Sequence, residues 1–440
     1  MDRLILKKLM LYITTLFSFT ACIEPFEFET RDAEGILVVQ TSMTDIVKNQ
    51  FVVLSRAADL ANVNIEFDSL DVRQSFVPAT NERLNPENGA KVELVDDQGN
   101  VIEFTDKDNG LYESTFPFGL AENTDYQLRI LTANQETYES GFESLSGKSK
   151  INDLYVERGF NENGEEGVII YADGANLTDE SDFFRYDYVE TYKIIAPTYS
   201  GLQVEIIREE GIFVNDTTFL WPDVRLQRRQ EEERVCFNSN SSVAIDLANT
   251  NTLSAAILEG HVVRFINRNN AIISHRYSML LNQYVINSGA YNYYQNLSNF
   301  AQSESVFSEI QPGFLEGNIR RTDVEDGLVL GYFEVASVDR KRVFFSYADL
   351  FPGEELPPFF GNTNCDRLLS PALGNPEKDG PQPLGCPPPA LIRRVKAEEL
   401  NYFAINEDPG ECEGPYYMTP SICGDCTILG TNVKPDFWID

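Results

Sequence analysis

The sequence predicts a mainly β protein. An N-terminal β-sandwich of the immunoglobulin-like or transthyretin-like kind precedes a larger β-rich domain with one main helix and a disulfide-braced, irregular C-terminal segment. Three observations predict this class. Short apolar or alternating runs recur from residue 35 to residue 345, helical spacing is clear only at 288–302, and ten of the 21 prolines lie between Pro352 and Pro389.

The first segment, residues 1–21, has the pattern of a lipoprotein signal peptide. An apolar run at 9–19 follows a basic start and is too short to remain as a spanning helix. Ala21 precedes Cys22, so cleavage there leaves Cys22 as the lipid attachment residue of the mature chain. The alternative is an ordinary signal peptide with Cys22 in a disulfide. Residues 22–34 then form an acidic tether.

Residues 35–147 are predicted to form the β-sandwich. Residues 91–95 alternate with period two, 96–100 are turn residues, and 101–104 return, which is the pattern of a β-hairpin. About seven short strands fit into this region, as in a sandwich. Further strand-like runs are 36–39, 51–54 and 126–130.

Residues 148–350 are predicted to form the second β-rich domain, after which the composition changes. Its one helix, near 288–302, has Ser288 as a candidate N-cap and apolar residues at helical spacing. We expect the tyrosines of this helix to pack on a sheet; the alternative is that they line a ligand surface. Strand-like runs are 168–171, 183–188, 204–207, 328–333 and 343–345.

The segment 351–440 is rich in proline and cysteine, and we expect it to pack on the second domain. An even number of cysteines after residue 22 in an exported chain predicts disulfides, whose pairing the sequence leaves open. Cys423-Gly-Asp-Cys426 could instead be half a zinc site or a redox pair. Phe437-Trp438 is predicted to be a docked hydrophobic plug, with a recognition site as the alternative. The disulfide candidates are Cys236, Cys365, Cys386, Cys412, Cys423 and Cys426.

The charge of the chain argues against nucleic acid as a partner. Removing residues 1–21 takes away three basic residues and one acidic residue, which changes the net charge from −34 to −36. Phosphate repels such a surface, and no basic stripe is evident in the sequence. The two basic clusters lie beside glutamates, which predicts local neutralisation. They are Arg225, Arg228 and Arg229, and Arg393, Arg394 and Lys396.

The sequence shows no recognisable catalytic site. The chain has two histidines, His261 and His275, and each is expected to be structural or at the surface. No phosphate loop, serine-nucleophile elbow, zinc-protease helix or dinucleotide fingerprint occurs. We therefore predict no catalytic residues, no metal site, no cofactor and no enzymatic activity.

Several segments of the chain, taken in order, carry a resemblance to a known family. They are the signal peptide that ends before Cys22, 22–26, 37–39, 51–56, 89–94, 275–283, 312–319, 330–333 and the terminal cysteine-rich segment. Together they resemble the Bacteroidota outer-membrane lipoproteins grouped as domain of unknown function 4249. The resemblance implies an outer-membrane protein anchored through Cys22. It also implies a gene neighbourhood that often encodes a TonB-dependent receptor of the nutrient-importing type.

The expected function is therefore that of a lipid-anchored outer-membrane protein, facing the cell exterior, that assists a TonB-dependent receptor in nutrient capture or uptake without being an enzyme. The alternative is a structural, adhesive or envelope-assembly surface protein. A hydrolase with paired carboxylates is a third possibility. The sequence does not identify the ligand.

Overall fold

The computed structural model of the protein is mainly β, with 51% of residues in strands and 10% in helices, which confirms the predicted fold class. No helix among the described residues is both long and apolar enough to span a membrane. The structure describes residues 35–57, 85–178, 181–210, 212–215, 218–220, 222–251, 256–302, 315–325, 327–373 and 389–440.

The first region, residues 35–147, contains eight strands among its described residues, and each predicted run lies in one of them except for Ile36, which precedes β1. The predicted hairpin is β4 and β5, in which Leu94 pairs with Ile102. The Asp96 carboxylate closes the turn by accepting hydrogen bonds from the backbone N–H groups of Gln98 and Asn100. The strands are β1 Leu37–Thr44, β2 Phe51–Arg56, β3 Asn85–Pro86, β4 Lys91–Asp96, β5 Val101–Asp106, β6 Leu111–Ser114, β7 Tyr126–Leu131 and β8 Thr137–Ser140.

These strands curl around one apolar core because alternate residues point inward. In β4, Val92 and Leu94 are buried whereas Lys91 is exposed, as period-two alternation requires. Leu54 of β2 and Leu128 of β7 belong to the same cluster, so strands distant in the sheet enclose a common interior.

The second region contributes a second layer. Strands β9, β10 and β18 form a three-stranded sheet that packs on the large sheet through buried residues such as Ile170, Tyr186 and Leu281. The strands are β9 Ser149–Phe160, β10 Glu166–Asn176, β11 Phe183–Ile195, β12 Leu202–Arg208, β13 Ile212–Asn215, β14 Thr218–Leu220, β15 Asp223–Arg228, β16 Val235–Ser241, β17 Asp246–Asn249, β18 Ile257–Asn267 and β19 Arg276–Ile286.

One long strand joins the two regions. Of the next two strands, β20 Ile319–Arg321 pairs with β8, and β21 Val329–Ser346 pairs in parallel with β1 over its first eight residues. The second part of β21 pairs antiparallel with β19. A single sheet therefore runs β16-β11-β19-β21-β1-β2-β6-β5-β4-β7-β8-β20. The predicted boundary at residue 147 falls between β8 and β9, and the division into domains stays a prediction.

The predicted helix is present as α1, Ser288–Gln302. Its cap differs from the expected Ser288. The side-chain oxygen of Asn287 accepts a hydrogen bond from the backbone N–H of Ala290, three residues into the helix, at 2.8 Å. Tyr291 is buried and its ring lies 4.7 Å from that of Phe183 on the sheet, so packing, rather than ligand contact, occupies this face of the helix.

The C-terminal segment is more regular than predicted. Strands β22, β24 and β23 form a small antiparallel sheet in that order, which packs on the hairpin of β12 and β15. Its strand β22 has only three residues and its strand β24 contains two prolines, so the sheet does not stand out in the sequence. The elements are α2 Tyr347–Leu350, β22 Leu369–Pro371, α3 Leu391–Lys396, β23 Leu400–Ile405, β24 Glu413–Pro420 and α4 Ser421–Gly424.

Candidate functional site

The predicted disulfides are present in the described part of the chain. Cys236 bonds to Cys426 and Cys365 bonds to Cys423, each with Cα atoms 5.6 Å apart. Cys412 is disulfide-bonded too. The cysteines of the Cys423-Gly-Asp-Cys426 motif thus bond to two distant partners instead of to each other or to a metal. Two predicted residues, Cys22 and Cys386, lie outside the described residues.

Both histidines have structural surroundings, as predicted. His261 stacks on Tyr186 with ring centroids 4.5 Å apart, and its Nε2 lies 3.0 Å from the Asp246 carboxylate. Burial lowers the pKa of His275. Across the described ranges, no group of three or more His, Cys, Asp or Glu side chains is arranged to hold a metal ion.

The large sheet has a second face, turned away from the three-stranded sheet, that carries a row of basic side chains. In β19 and β21 the residues that pack into the core alternate with residues that point to this face. Two rows cross the strands there, and we call them the basic strip. The rows are Arg340, Asn282 and Asp187, and Arg342, Leu280 and Val189.

One end of the strip is closed by a buried ion pair under helix α1. Arg185 donates hydrogen bonds to both oxygens of Glu334, at 3.1 and 2.7 Å, and the Glu334 side chain is fully buried. The guanidinium of Arg185 also lies 4.0 Å from the ring centroid of Tyr284 and 5.3 Å from that of Tyr294. Glu334 thereby compensates the charge of Arg185 within the fold.

Arg342, in the middle of the face, has a different environment. Burial lowers the pKa of the Arg342 guanidinium to about 10, and no carboxylate of the described residues opposes this shift. The guanidinium donates a hydrogen bond to the Ser278 hydroxyl at 2.9 Å and lies 3.6 Å from the ring centroid of Phe437. It is therefore a half-buried cation held by a hydroxyl and an aromatic ring.

Lys48 reaches the strip from the first region. Its backbone pairs with that of Phe118, which holds the loop after β1 against the first sheet. Burial and the neighbouring Arg340 lower the pKa of Lys48 from 10.5 to about 8, and Asp187 opposes this. Lys48, Arg340 and Asp187 therefore share one environment, although they come from three separate parts of the sequence.

The other end of the face is covered by the C-terminal tail. The ring of Trp438 packs edge-on against Phe237 and Phe344, and the Trp438 residue is 5% exposed, so the predicted plug is confirmed for Trp438, whereas Phe437 is 40% exposed. Arg276 donates a hydrogen bond to the Ile439 carbonyl. Lys193 pairs with the Asp440 carboxylate at 3.4 Å.

A second surface feature is a hairpin arm, residues 202–228, built from β12 to β15. Its base packs on the C-terminal sheet and is lined by ion pairs, including Arg225 with Glu205 and Lys396 with Glu209. Arg229 pairs with Glu233 and Arg394 with Glu399, so the predicted local neutralisation is confirmed for these four basic residues. Toward the tip, aliphatic side chains are 36–59% exposed; they are Ile207, Ile212, Val214 and Leu220.

None of the strip residues was singled out from the sequence. The sequence does place Arg340 and Arg342 two residues apart in a strand and thus on one face, but only the folded structure brings Lys48 and β11 beside them.

The chain belongs to the family described as domain of unknown function (DUF4249), whose family model matches residues 23–342. No curated protein and no solved structure matches the chain.

Proposed function

We propose that this DUF4249-family protein is an outer-membrane lipoprotein, anchored through Cys22 and exposed at the cell surface. In this proposal it serves as a non-enzymatic accessory of a TonB-dependent receptor in nutrient capture or uptake. The anchor holds the protein beside the receptor, and the folded part makes the contact.

The disulfides support a location outside the cytoplasm. Cys236–Cys426 and Cys365–Cys423 join residues 190 and 58 positions apart, and such bonds persist in oxidising compartments. An exported protein with a cysteine after its apolar leader is the type of protein that is tethered by acyl chains.

The observation that carries the partner proposal is the hairpin arm. Aliphatic side chains near its tip are well exposed, with Ile212 at 49% and Val214 at 59%. Several exposed apolar groups on neighbouring strands are typical of a protein contact, because their burial on binding is favourable. Glu205 and Asp223, on the β12 and β15 strands that lead to the tip, would form the polar rim of such an interface.

The test is co-purification from native membranes. The full-length protein with a C-terminal affinity tag is extracted in mild detergent, and co-eluting proteins are identified by mass spectrometry. We expect a barrel receptor to co-elute, and the Ile212→Asp/Val214→Asp double variant to lose it. The matched control, Val101→Asp/Phe142→Asp, changes two side chains that are 50% and 54% exposed in the first region. Equal recovery with both double variants, or no receptor with the unaltered protein, contradicts the proposal.

The anchor is tested separately. Mass spectrometry of the mature N-terminus should find acyl chains on Cys22, and Cys22→Ala should release the protein from the membrane fraction. An unmodified N-terminus in the membrane-bound protein would refute the lipid anchor.

A further inference from the structure

The three-stranded sheet has an outer face, turned away from the large sheet, that carries aromatic and aliphatic side chains. In β10, Val168 and Ile170 are buried in the core, so the alternating Ile169 and Tyr171 point outward. Their partners in the neighbouring strands point the same way. We call this surface the tyrosine face. Its members are Tyr155 of β9, Ile169 and Tyr171 of β10, and Val262 and Phe265 of β18.

Two glycines let the larger side chains of the tyrosine face lie close to the backbone. A Cβ atom at Gly159 would lie 2.7 Å from Cδ1 of Ile169, and one at Gly167 would lie 2.7 Å from the ring of Phe265. Both side chains therefore extend over the neighbouring strand. Val262 on the same face is 52% exposed. An ordered, exposed apolar surface of this kind is typical of an interaction site.

Carboxylates stand beside the two tyrosines. The rings of Tyr155 and Tyr171 stack with their centroids 5.3 Å apart. Glu157 follows Tyr155 by two residues in β9, and Asp173 follows Tyr171 by two residues in β10, so both carboxylates lie on the tyrosine face. Asp173 accepts a hydrogen bond from the backbone N–H of Gly260 at 2.7 Å. Desolvation and the charges of Asp173 and Glu157 raise the pKa of the Tyr155 hydroxyl.

Across the strands, the tyrosine face changes from acidic to apolar. Glu157 lies on the β9 side, whereas Val262 and Phe265 lie on the β18 side, and β10 separates the two strands. Two strand spacings amount to about 10 Å. A ligand that uses the whole face therefore carries a cation and apolar groups about that far apart, which several residues of a polypeptide provide.

The charge of the face selects a basic ligand. A cation beside an aromatic ring and a carboxylate interacts favourably with both. Asp153, which pairs with Asp173 in the ladder, already binds the Lys341 ammonium at 2.9 Å. A second copy of this chain, with its net charge of −34, would bring like charge to the face.

We propose that the tyrosine face docks a segment of another protein that carries basic and apolar side chains. A lysine or arginine of this segment lies beside Tyr155 and Glu157, and its apolar side chains cover Val262 and Phe265. The tyrosine face and the hairpin arm are built from different strands, so this proposal does not rest on the receptor partnership.

The test measures binding of a fluorescent peptide to the purified full-length protein in detergent by anisotropy. The peptide Lys-Ser-Lys-Ser-Leu-Ser-Leu places two lysines and two leucines on one side when it is extended. We expect one-site binding that weakens as sodium chloride is raised. Replacing both leucines by serine, or both lysines by glutamate, should weaken binding about tenfold or more, because apolar burial or charge attraction is lost.

Matched variants locate the site on the protein. Glu157→Lys and Val262→Asp change exposed side chains of the face, and each should weaken the peptide about tenfold or more. Glu103→Lys makes the same charge change at an exposed strand position of the first region and should leave the affinity unchanged.

Three outcomes would overturn the proposal. The first is absence of peptide binding, and the second is an equal loss of affinity in Glu103→Lys and Glu157→Lys. The third is a different occupant. Spermine that binds at the face as tightly as the peptide would identify a small cation, and self-association that Val262→Asp abolishes would identify a second copy of the chain.

Discussion

At the scale of single residues, the molecule holds ionic groups in places where burial is unfavourable for them. Arg185 and Glu334 meet beneath helix α1, and the Ser42 hydroxyl donates a hydrogen bond to the same carboxylate. Removing one partner of such a pair is strongly destabilising, because the other charge is then left buried without compensation.

We expect Glu334→Ala to destabilise the protein by about 3–5 kcal/mol for that reason. The double variant Arg185→Met/Glu334→Leu, which removes both charges and keeps the volume, should recover most of this loss. Urea unfolding of Arg185→Met, Glu334→Leu and the double variant, compared with the unaltered protein, measures the coupling as a double-mutant cycle. Additive effects of the two substitutions would contradict a direct pair.

For Lys48 we expect the opposite effect, because substitution of this buried cation should stabilise the protein. Its pKa in the folded protein, about 8, is below its ordinary value of 10.5, so between these pH values the unfolded chain binds more protons. The penalty from the charged lysine is complete below pH 8 and disappears as the pH rises to 10.5. Lys48→Met should therefore raise the thermal midpoint at pH 7, and the gain should shrink toward pH 10. A gain independent of pH would show that charge is not its cause.

Sequence patterns do not reveal such residues. Lys48, Asp187, Asn282 and Arg340 come together only because β11, β19 and β21 pair in one register and the loop after β1 lies against them. The histidines were simpler to interpret, since two histidines offer few catalytic arrangements whatever the fold. The amino-acid composition shows which catalytic residue types are rare, whereas the pairing of distant strands determines which charged side chains lie close together.

At the scale of elements, tertiary contacts fix the N-terminus of helix α1. Asn287 caps the helix and its side-chain amide also donates to the Glu143 carboxylate. The same carboxylate accepts hydrogen bonds from Asn318 at 2.7 Å and from the Tyr332 hydroxyl at 3.2 Å. Burial raises the pKa of Glu143, and these donors counteract the rise. The start of the helix is thus tied to the end of the first region.

Asn287→Ala should therefore lower the free energy of unfolding by about 1–3 kcal/mol, since a cap is worth about 1 kcal/mol and a buried carboxylate loses a donor. Ser288→Ala, the residue that the sequence suggested as the cap, should change it by less than about 0.5 kcal/mol. The shift in the urea midpoint compares the two. A larger effect of the serine substitution would show that the cap has been misassigned.

The elements predicted correctly share one property. The runs that became β1, β2, β4, β5, β7 and β10 are apolar or alternate strictly, so burial of one face is written into each of them. The C-terminal sheet was missed because β22 has only three residues and ends in Pro371, and its order depends on contacts with the β12–β15 hairpin and on disulfides. The hydrophobic periodicity of a segment cannot predict a strand that is stabilised by contacts with distant parts of the chain.

At the scale of the whole molecule, the Cys236–Cys426 disulfide fastens the C-terminal segment to the edge of the large sheet, whereas Cys365–Cys423 closes a loop within that segment. Cys236 lies in the edge strand β16, and the backbone of Phe237 beside it pairs with that of Thr431. This contact covers an edge that would otherwise offer free backbone donors and acceptors to another chain.

Removing the longer bond should cost more stability than removing the shorter one. The chain-entropy relation gives about 5 kcal/mol for a loop of 190 residues and about 4 kcal/mol for one of 58. Cys236→Ala/Cys426→Ala should therefore have the lower thermal midpoint of the two paired variants, and the Cys365→Ala/Cys423→Ala variant should lie between it and the unaltered protein. The reverse order would mean that local contacts, and not loop closure, dominate.

The strand shared by both regions has a consequence for biogenesis. On the proposed export route the polypeptide crosses the inner membrane amino end first, so Ser42 in β1 emerges 292 residues before Glu334, the neighbour it faces in β21. Until β21 has emerged, one edge of β1 is unpaired. Folding that depends on pairing between strands so far apart in the sequence is slow and prone to aggregation. Any truncation upstream of Val329 would therefore leave β1 without its parallel neighbour and even the amino-terminal module incomplete.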